Sequence, residues 1–415
     1  MKEERNRSID PQEILDQGFV FVREAIRPDQ LDSVRQTAEL FLRRAREQTP
    51  GDQKIGWDNH RVPHPGLYDF IDGDTSVLSD TLAAEPILDM NCQLMGAESA
   101  GINGASLFTE PAHKLKKRFQ FHRDFTPSAS LPLRGLQADY QANAPGHLTW
   151  NVALYDDASL WVVAGSNKRA NNEIEQEVLN RPAMLADEPL PGALPIELAA
   201  GDAVAFDATI LHSGSNDADT YRRTINVSYR AFGGPVFPHN RGTSWRPDVL
   251  ECLLPDSARH FSRFEQLLGR EREMIEATFR SIIHCDESAF RQHLACLHPG
   301  ESGRMACIVQ LDKIAYTLWT LSNRDPQSLS NDEYGKVTLD HPNNRWRTAL
   351  LLERFSVEEV QTLWRHFSTL DGVLKNESGS ASGFTMHPSD YGCVEMPRRF
   401  DVDQFILSWS VGEPS

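Results

Sequence analysis

The sequence lacks the paired cysteines and the long apolar runs that mark several classes of protein. Its six cysteines are scattered and form no C-x-x-C pair, which excludes a zinc ribbon and a thioredoxin-like motif. No apolar run reaches the length of about 18 residues that a membrane-spanning helix needs. The polar start MKEERNRSID lacks the apolar core of a signal peptide. We therefore expect a cytoplasmic protein in a reducing compartment.

A surplus of basic residues is also missing. The 415 residues include 59 acidic and 42 basic side chains, which gives a net charge of −17. Proteins that bind nucleic acids or anionic membranes usually present a basic surface, so neither partner is expected. The hydrophobic share of 40% is that of a globular protein. We expect a small-molecule substrate as the partner, and a monomer or a homodimer as the assembly.

The chain divides into a β-rich part and a helical part. Between about residues 105 and 235, short runs rich in β-branched and aromatic residues alternate with Gly and Asp turns. Such a series predicts an antiparallel sandwich or barrel. After about residue 245, apolar residues recur at helical spacing, most clearly over 261–283. We predict a β domain over residues 1–245 and a helical C-terminal region over 246–415.

Two histidines and an aspartate have the spacing of metal ligands. In FHRDF (121–125), His122 and Asp124 are two residues apart, so on a strand both side chains project from one face. His212 follows later, at the end of the strand predicted within 201–216. Each feature alone has an ordinary alternative: a surface His beside an Asp, or a His that bonds a loop carbonyl. The combination is more specific than either feature.

A pair of arginines lies in the next predicted strand, YRRTINVSYR (221–230). Because adjacent strand residues face opposite sides, only one of Arg222 and Arg223 can point into the barrel. A buried guanidinium needs a carboxylate partner, and no acidic residue lies beside it in sequence. The carboxylate of a cosubstrate would meet that need.

The order of these features resembles the phytanoyl-CoA dioxygenase family of iron(II)- and 2-oxoglutarate-dependent oxygenases. Members carry His-x-Asp on one strand, a distal His later in the chain, and an arginine eleven residues after it that binds the 5-carboxylate of 2-oxoglutarate. By that resemblance, His122, Asp124 and His212 are the catalytic iron ligands, and Arg223 is the carboxylate clamp. The implied cofactor is Fe(II), and the implied cosubstrates are 2-oxoglutarate and O2.

The resemblance covers roughly residues 12–235 and includes the opening strand and helix. Ala164 and Asn167 replace a Pro and a His of the family's "PGSH" segment, a change that touches no ligand. The implied fold is mainly β with α: a double-stranded β-helix (a jelly-roll or cupin-like core) with flanking helices and a helical C-terminal extension. The region after residue 245 has no counterpart in the family pattern.

The implied reaction is oxidation of a small organic substrate, most simply hydroxylation, with release of succinate and CO2. Specialised-metabolite biosynthesis is the preferred setting. Related halogenases lack the carboxylate ligand, so Asp124 favours oxidation over halogenation. Two alternatives stay open: a metal-dependent isomerase or lyase on a cupin-type barrel, and a degenerate barrel that binds a small molecule. The first would not need Arg223, and the second would have lost a ligand.

Weaker candidates accompany the triad. Gln120, Thr149 and Asn151 lie on predicted strands that flank it and could contact the cosubstrate, although each is also an ordinary polar strand residue. A cluster in the C-terminal region could hold a second metal but is more simply a helical face with scattered polar groups. The cluster consists of His284, Cys285, Asp286, His293, Cys296 and His298.

Overall fold

A computed structural model describes most of the chain. The described residues are 9–49, 66–67, 71–110, 121–124, 132–179, 188–215, 221–232, 247–323, 350–377, 395–398 and 400–412. The predicted domain boundary near residue 245 lies outside these ranges.

In the part of the chain that the structure describes, eight strands make up two antiparallel sheets. The strands are β1 (Phe19–Val22), β2 (Ala100–Glu110), β3 (His147–Ala153), β4 (Asp157–Val162), β5 (Leu194–Leu198), β6 (Ala203–Asp207), β7 (His212–Gly214) and β8 (Arg222–Ala231). The large sheet has the order β1-β6-β3-β8-β2, and the small sheet has the order β5-β4-β7. His122 extends the small sheet alongside β7, because its backbone exchanges two hydrogen bonds of 2.9 Å with His212, the first residue of β7. Two facing sheets with this strand order form a double-stranded β-helix, and the predicted fold is confirmed.

Helices cover the outer face of the large sheet. Those that precede or interrupt the barrel are α1 (Pro11–Gln17), α2 (Pro28–Gln48), α3 (Val77–Leu82), α4 (Glu85–Leu94), α5 (Leu133–Asn143) and α6 (Glu173–Leu179). The alternation in β8 explains the packing: Ile225, Val227 and Tyr229 point outward and join Phe41 of α2 and Trp150 of β3 in one apolar core. The opposite face of β8 is left for polar residues.

The C-terminal region is helical, as predicted. Its helices are α7 (Pro247–Leu250), α8 (Pro255–Ile283), α9 (Glu287–Leu297), α10 (Arg304–Asn323), α11 (Leu350–Leu352), α12 (Val357–Glu377) and α13 (Val402–Ser408). Most of them share a second apolar core that includes Phe279 and Phe367, whereas Val249 of α7 belongs to the first core. Leu133, Leu136 and Tyr140 of α5 belong to the same core, so the C-terminal helices pack on an element of the β part.

Among the described residues, no helix combines the length and the apolar character required to cross a bilayer.

Candidate metal centre

The structure brings His122, Asp124 and His212 together where the small sheet ends. Nε2 of His212 lies 3.3 Å from Oδ1 of Asp124, and Nε2 of His122 lies 3.8 Å from the same oxygen. The two imidazole rings have centroids 4.4 Å apart. The backbone bridge between His122 and His212 fixes this approach, because it places two segments distant in sequence side by side.

The ring of His212 is held from both sides. Its Nδ1 lies 3.2 Å from the carbonyl oxygen of Ile210, and because a carbonyl can only accept, Nδ1 carries the hydrogen. When the ring is neutral, Nε2, on the side of Asp124, is then the nitrogen with a lone pair that a metal can take. Phe206 of β6 packs against the ring with centroids 4.9 Å apart. A second contact that fixes the tautomer and orientation is the usual support of a metal-binding histidine.

Asp124 is held in the charged form that a metal ligand requires. Burial alone would raise its pKa, but a protonated His212, through its positive charge and its hydrogen bond, and the charge of His122 together lower it by more. The net pKa lies well below the usual range. Thr149 of β3 donates a 2.8 Å hydrogen bond to Oδ2, so the carboxylate is also oriented. The side chain keeps 28% of its exposure, which leaves it open on one side.

Arg123, between His122 and Asp124, was not predicted from the sequence. Its guanidinium is buried and donates to the carbonyl of Ser166 at 2.9 Å, to the carbonyl of Thr209, and to Oδ1 of Asn171 at 2.8 Å. Burial lowers its pKa to about 9. Strand alternation is the signal that could have found it, since Arg123 must point away from the two ligands on either side. These hydrogen bonds hold the segment 121–124 against the loop after β4 and against the turn before His212.

The donor set fits iron(II). The three side chains each offer one ligand atom, and these atoms all lie within 4.8 Å of one another. Two imidazole nitrogens and one carboxylate oxygen on one face of an ion are the donors of the non-haem iron oxygenases, and they leave positions open for other ligands. Among the described residues, this is the one group of three such side chains close enough to share an ion.

The two arginines of β8 lie on opposite faces of the large sheet. Thr149 pairs with Ser228 across the sheet, so the triad's face of β8 carries residues 228, 226, 224 and 222. Arg222 is therefore on the triad's face. The structure does not bring Arg223 to the triad: it points the other way, where its Nε contacts Oε1 of Glu39 on α2 at 2.7 Å.

Arg222 sits in a buried polar cluster. Its Nε donates to Oδ2 of Asp157 at 3.0 Å, and the two side chains are 4% and 5% exposed. Asp157 also accepts a hydrogen bond from Thr224 and one of 2.7 Å from the backbone of Ser159. Burial raises the pKa of Asp157, but the positive charge of Arg222 and the hydrogen bonds outweigh it, so the net pKa is lowered. The family spacing of eleven residues after His212 points to Arg223, whereas the residue in this cluster is its neighbour Arg222.

The three weaker candidates for contact with the cosubstrate, Gln120, Thr149 and Asn151, differ in their positions and contacts. Thr149 and Asn151 are buried and lie on the triad's face of β3. Thr149 contacts the ligand Asp124, whereas Asn151 accepts a 2.8 Å hydrogen bond from Asn226 on β8. The Asn151–Asn226 pair lies between the level of the triad and that of Arg222. Gln120 lies outside the described residues.

Two members of the polar cluster predicted in the C-terminal region, Asp286 and His298, have structural contacts. Asp286 caps α9 by accepting a hydrogen bond from the backbone of Ala289 at 3.0 Å. Nε2 of His298 lies 2.9 Å from Oδ1 of Asp139 on α5, with both side chains buried. No second group of metal-binding geometry is found in the ranges that the structure covers.

Sequence comparison agrees with this arrangement. The sequence model of the family described as phytanoyl-CoA dioxygenase (PhyH) matches residues 14–225, which is half of the chain and includes all three ligands. The chain belongs to the phytanoyl-CoA dioxygenase family. Enzymes of this family are iron(II)- and 2-oxoglutarate-dependent oxygenases, so the chain is an oxygenase whose cofactor is Fe(II) and whose cosubstrates are 2-oxoglutarate and O2. The predicted family, enzyme class and cofactors are confirmed.

Solved structures with a similar fold share little sequence with the chain. EctD from S. alaskensis, solved with 2-oxoglutarate and 5-hydroxyectoine, is 17% identical with a TM-score of 0.41, over 56% of this chain and 79% of that one. The nickel complex of the non-heme monooxygenase ThoJ is 18% identical with a TM-score of 0.38, over 54% and 77%. AviO1 from Streptomyces viridochromogenes Tue57 is 16% identical with a TM-score of 0.38, over 56% and 98%. No curated protein matches the sequence significantly.

Proposed function

We propose that this oxygenase hydroxylates a small organic substrate, with His122, Asp124 and His212 as its iron ligands. The observation that carries the proposal is the convergence of these three side chains, whose ligand atoms lie within 4.8 Å of one another. Iron bound there would supply the oxidising chemistry together with O2 and 2-oxoglutarate, which would take one oxygen atom of O2 and leave as succinate and CO2. The protein's own contribution is to hold the three ligands, orient the carboxylate through Thr149, and fix the tautomer of His212.

We further propose Arg222 in place of Arg223 as the residue that binds the 5-carboxylate of 2-oxoglutarate. Arg222 lies on the triad's face of β8, and a guanidinium is the natural partner of a carboxylate in a water-poor pocket. The Asn151–Asn226 pair, which lies between Arg222 and the triad along the strands, would line the path of the cosubstrate. Thr149 has the different task of orienting Asp124.

The role of Asp157 follows from its contact with Nε of Arg222. A fixed carboxylate that binds Nε of an arginine holds the planar guanidinium in one orientation. Because the guanidinium is already ordered, less conformational entropy is lost when a second carboxylate binds to it. Thr224 and the backbone of Ser159 hold Asp157 in turn. This arrangement favours an oxygenase over an isomerase or lyase on the same barrel, since those reactions do not need a clamp for a dicarboxylic cosubstrate.

Asp124 supports oxidation over halogenation, because the carboxylate takes the metal position that a halide would need. We propose a substrate from specialised metabolism, a setting that the family's diversity permits and no single residue specifies. The test is to screen candidate metabolites for those that accelerate succinate formation, and then to identify the product. Hydroxylation predicts one oxygen atom from labelled O2 in the product for each succinate formed. A product that gains no oxygen, or turnover that does not need 2-oxoglutarate, would overturn the proposal.

A further inference from the structure

A helix that lies outside the family match packs on the end of the large sheet nearest the triad. β8 continues past the triad to Arg230, which pairs with His147 across the sheet. This pair is the next one on the triad's face after Thr149 and Ser228, about 7 Å further along the strands. Arg230 is fully buried, and its guanidinium forms a two-point ion pair with Glu271 of α8, in which Nη1 lies 2.7 Å from Oε2.

Three residues along α8 anchor the helix across this end of the sheet. Phe264 packs so closely on Gly101 of β2 that no side chain fits there: a Cβ at Gly101 would lie 2.1 Å from the ring. Since Gly101 pairs with Arg230, the ring covers the same end of the same face. Glu271, two helical turns later, reaches Arg230, and Ile275, one turn further, joins the core that includes α5. The helix therefore spans from β2 to the helix that follows the His-x-Asp segment.

We propose that α8 completes the active site as one wall of the substrate pocket, with Glu271 as a positioning residue. Glu271 fixes and neutralises the guanidinium of Arg230 beside the metal. This inference rests on the proposed iron site. It assigns part of the substrate recognition to the C-terminal region, which the family match does not cover.

The charges on this wall of the pocket should affect how tightly the triad binds Fe(II). Burial lowers the pKa of His147, which lies near the charges of Asp124 and Arg230, to about 4, so its imidazole is neutral at pH 7. Glu271 forms the ion pair that offsets the charge of Arg230 on this wall. If the charge of Glu271 is removed, the positive charge of Arg230 near the triad is no longer offset. It then repels Fe(II), so the affinity of the triad for Fe(II) should fall.

The test is an anaerobic titration with Fe(II) alone, without 2-oxoglutarate, so that Arg222 does not enter the result. We expect Glu271→Gln to weaken Fe(II) binding by at least about threefold. The matched control is Glu276→Gln on the same helix, because Glu276 also pairs with arginines, Arg354 and Arg280, but within the helical region. Arg230→Met combined with Glu271→Met removes both charges and should restore the wild-type affinity to within about twofold.

A second measurement on the wild-type protein covers the case in which the variants do not fold. Fe(II) with hydrogen peroxide oxidises side chains near the bound ion, and peptide mapping should find Phe264 modified and Phe367, in the core of the helical region, unmodified. His212→Ala should abolish the modification. Wild-type protein that fails to bind Fe(II) would contradict the proposed function itself. Normal Fe(II) binding with equal affinities for Glu271→Gln and Glu276→Gln, or no modification of Phe264, would overturn the role of α8.

Discussion

Arg222 and Arg223 provide a sharp test of the site, because they are adjacent in sequence and face opposite sides of the same strand. We expect replacement of Arg222 to weaken 2-oxoglutarate binding and replacement of Arg223 to leave it almost unchanged. A charge-assisted contact to a carboxylate is worth roughly 1.5–3 kcal/mol, or about tenfold to a hundredfold in affinity. Arg223 pairs with Glu39, which keeps 40% of its exposure, and such a surface pair contributes at most about 1 kcal/mol to stability.

The choice of substitution matters, because Arg222 also balances the buried Asp157. Arg222→Ala would leave that carboxylate without its cation, at a cost of about 3–5 kcal/mol in the free energy of unfolding. Arg222→Lys keeps the charge and loses the planar fork, so it separates loss of the clamp from loss of the fold. We expect Arg222→Lys to raise the dissociation constant for 2-oxoglutarate at least about tenfold. Arg223→Lys is the matched control.

The assay is an anaerobic titration of the Fe(II)-loaded protein with 2-oxoglutarate, followed by the weak visible charge-transfer band. Fe(II) affinity measured without 2-oxoglutarate should be the same in all these proteins, because neither arginine is a ligand. If Arg223→Lys loses the cosubstrate and Arg222→Lys retains it, the family spacing is the better guide and the faces assigned to β8 are inverted.

Three further predictions concern the ligands and the C-terminal region. Alanine at His122, Asp124 or His212 should abolish succinate formation, because each change removes a metal ligand; full turnover by any of them would remove that residue from the site. Asp124→Gly should give mostly inactive protein that can accept chloride without efficient chlorination, which product analysis in chloride buffer would check. Truncation after residue 245 should give insoluble protein, because α5 buries Leu133 and Tyr140 against the C-terminal helices; a soluble, active truncation would show an independent domain.

The fold and the residues of the triad could be predicted because they leave strong local patterns. The His-x-Asp spacing fixes both side chains on one face, and GDAVAFDATILH reads as a turn and a buried strand that ends at a histidine. Which segment would lie beside His212 could not be derived from spacing alone, since the bridge to His122 joins residues ninety positions apart. The resemblance to a family supplied that pairing.

For the choice between Arg222 and Arg223, the family spacing and the strand pattern point to different residues. In RRTINVSYRA, alternate positions are polar at 222, 224, 226, 228 and 230, whereas Ile225, Val227 and Tyr229 are apolar. This alternation places Arg222 with the polar set and Arg223 with the apolar set. A count of residues from His212 depends on the length of the connecting loop, whereas the alternation depends only on the strand, which is why we propose Arg222.

The contact between Glu271 and Arg230 could not have been predicted from the sequence. The apolar stripe of α8 indicates that the helix is buried but not what covers it, and a buried glutamate within such a stripe has no local signature. Its partner lies 41 residues earlier, beyond a segment that joins the two parts of the chain.

The central claim is that the triad binds iron and 2-oxoglutarate together. The most direct measurement is the visible spectrum of the protein after anaerobic addition of Fe(II) and then 2-oxoglutarate. A weak charge-transfer band should appear with the wild-type protein only when both are present, and it should be absent with His212→Ala. A wild-type protein without the band, or a band that survives the loss of His212, would contradict the account.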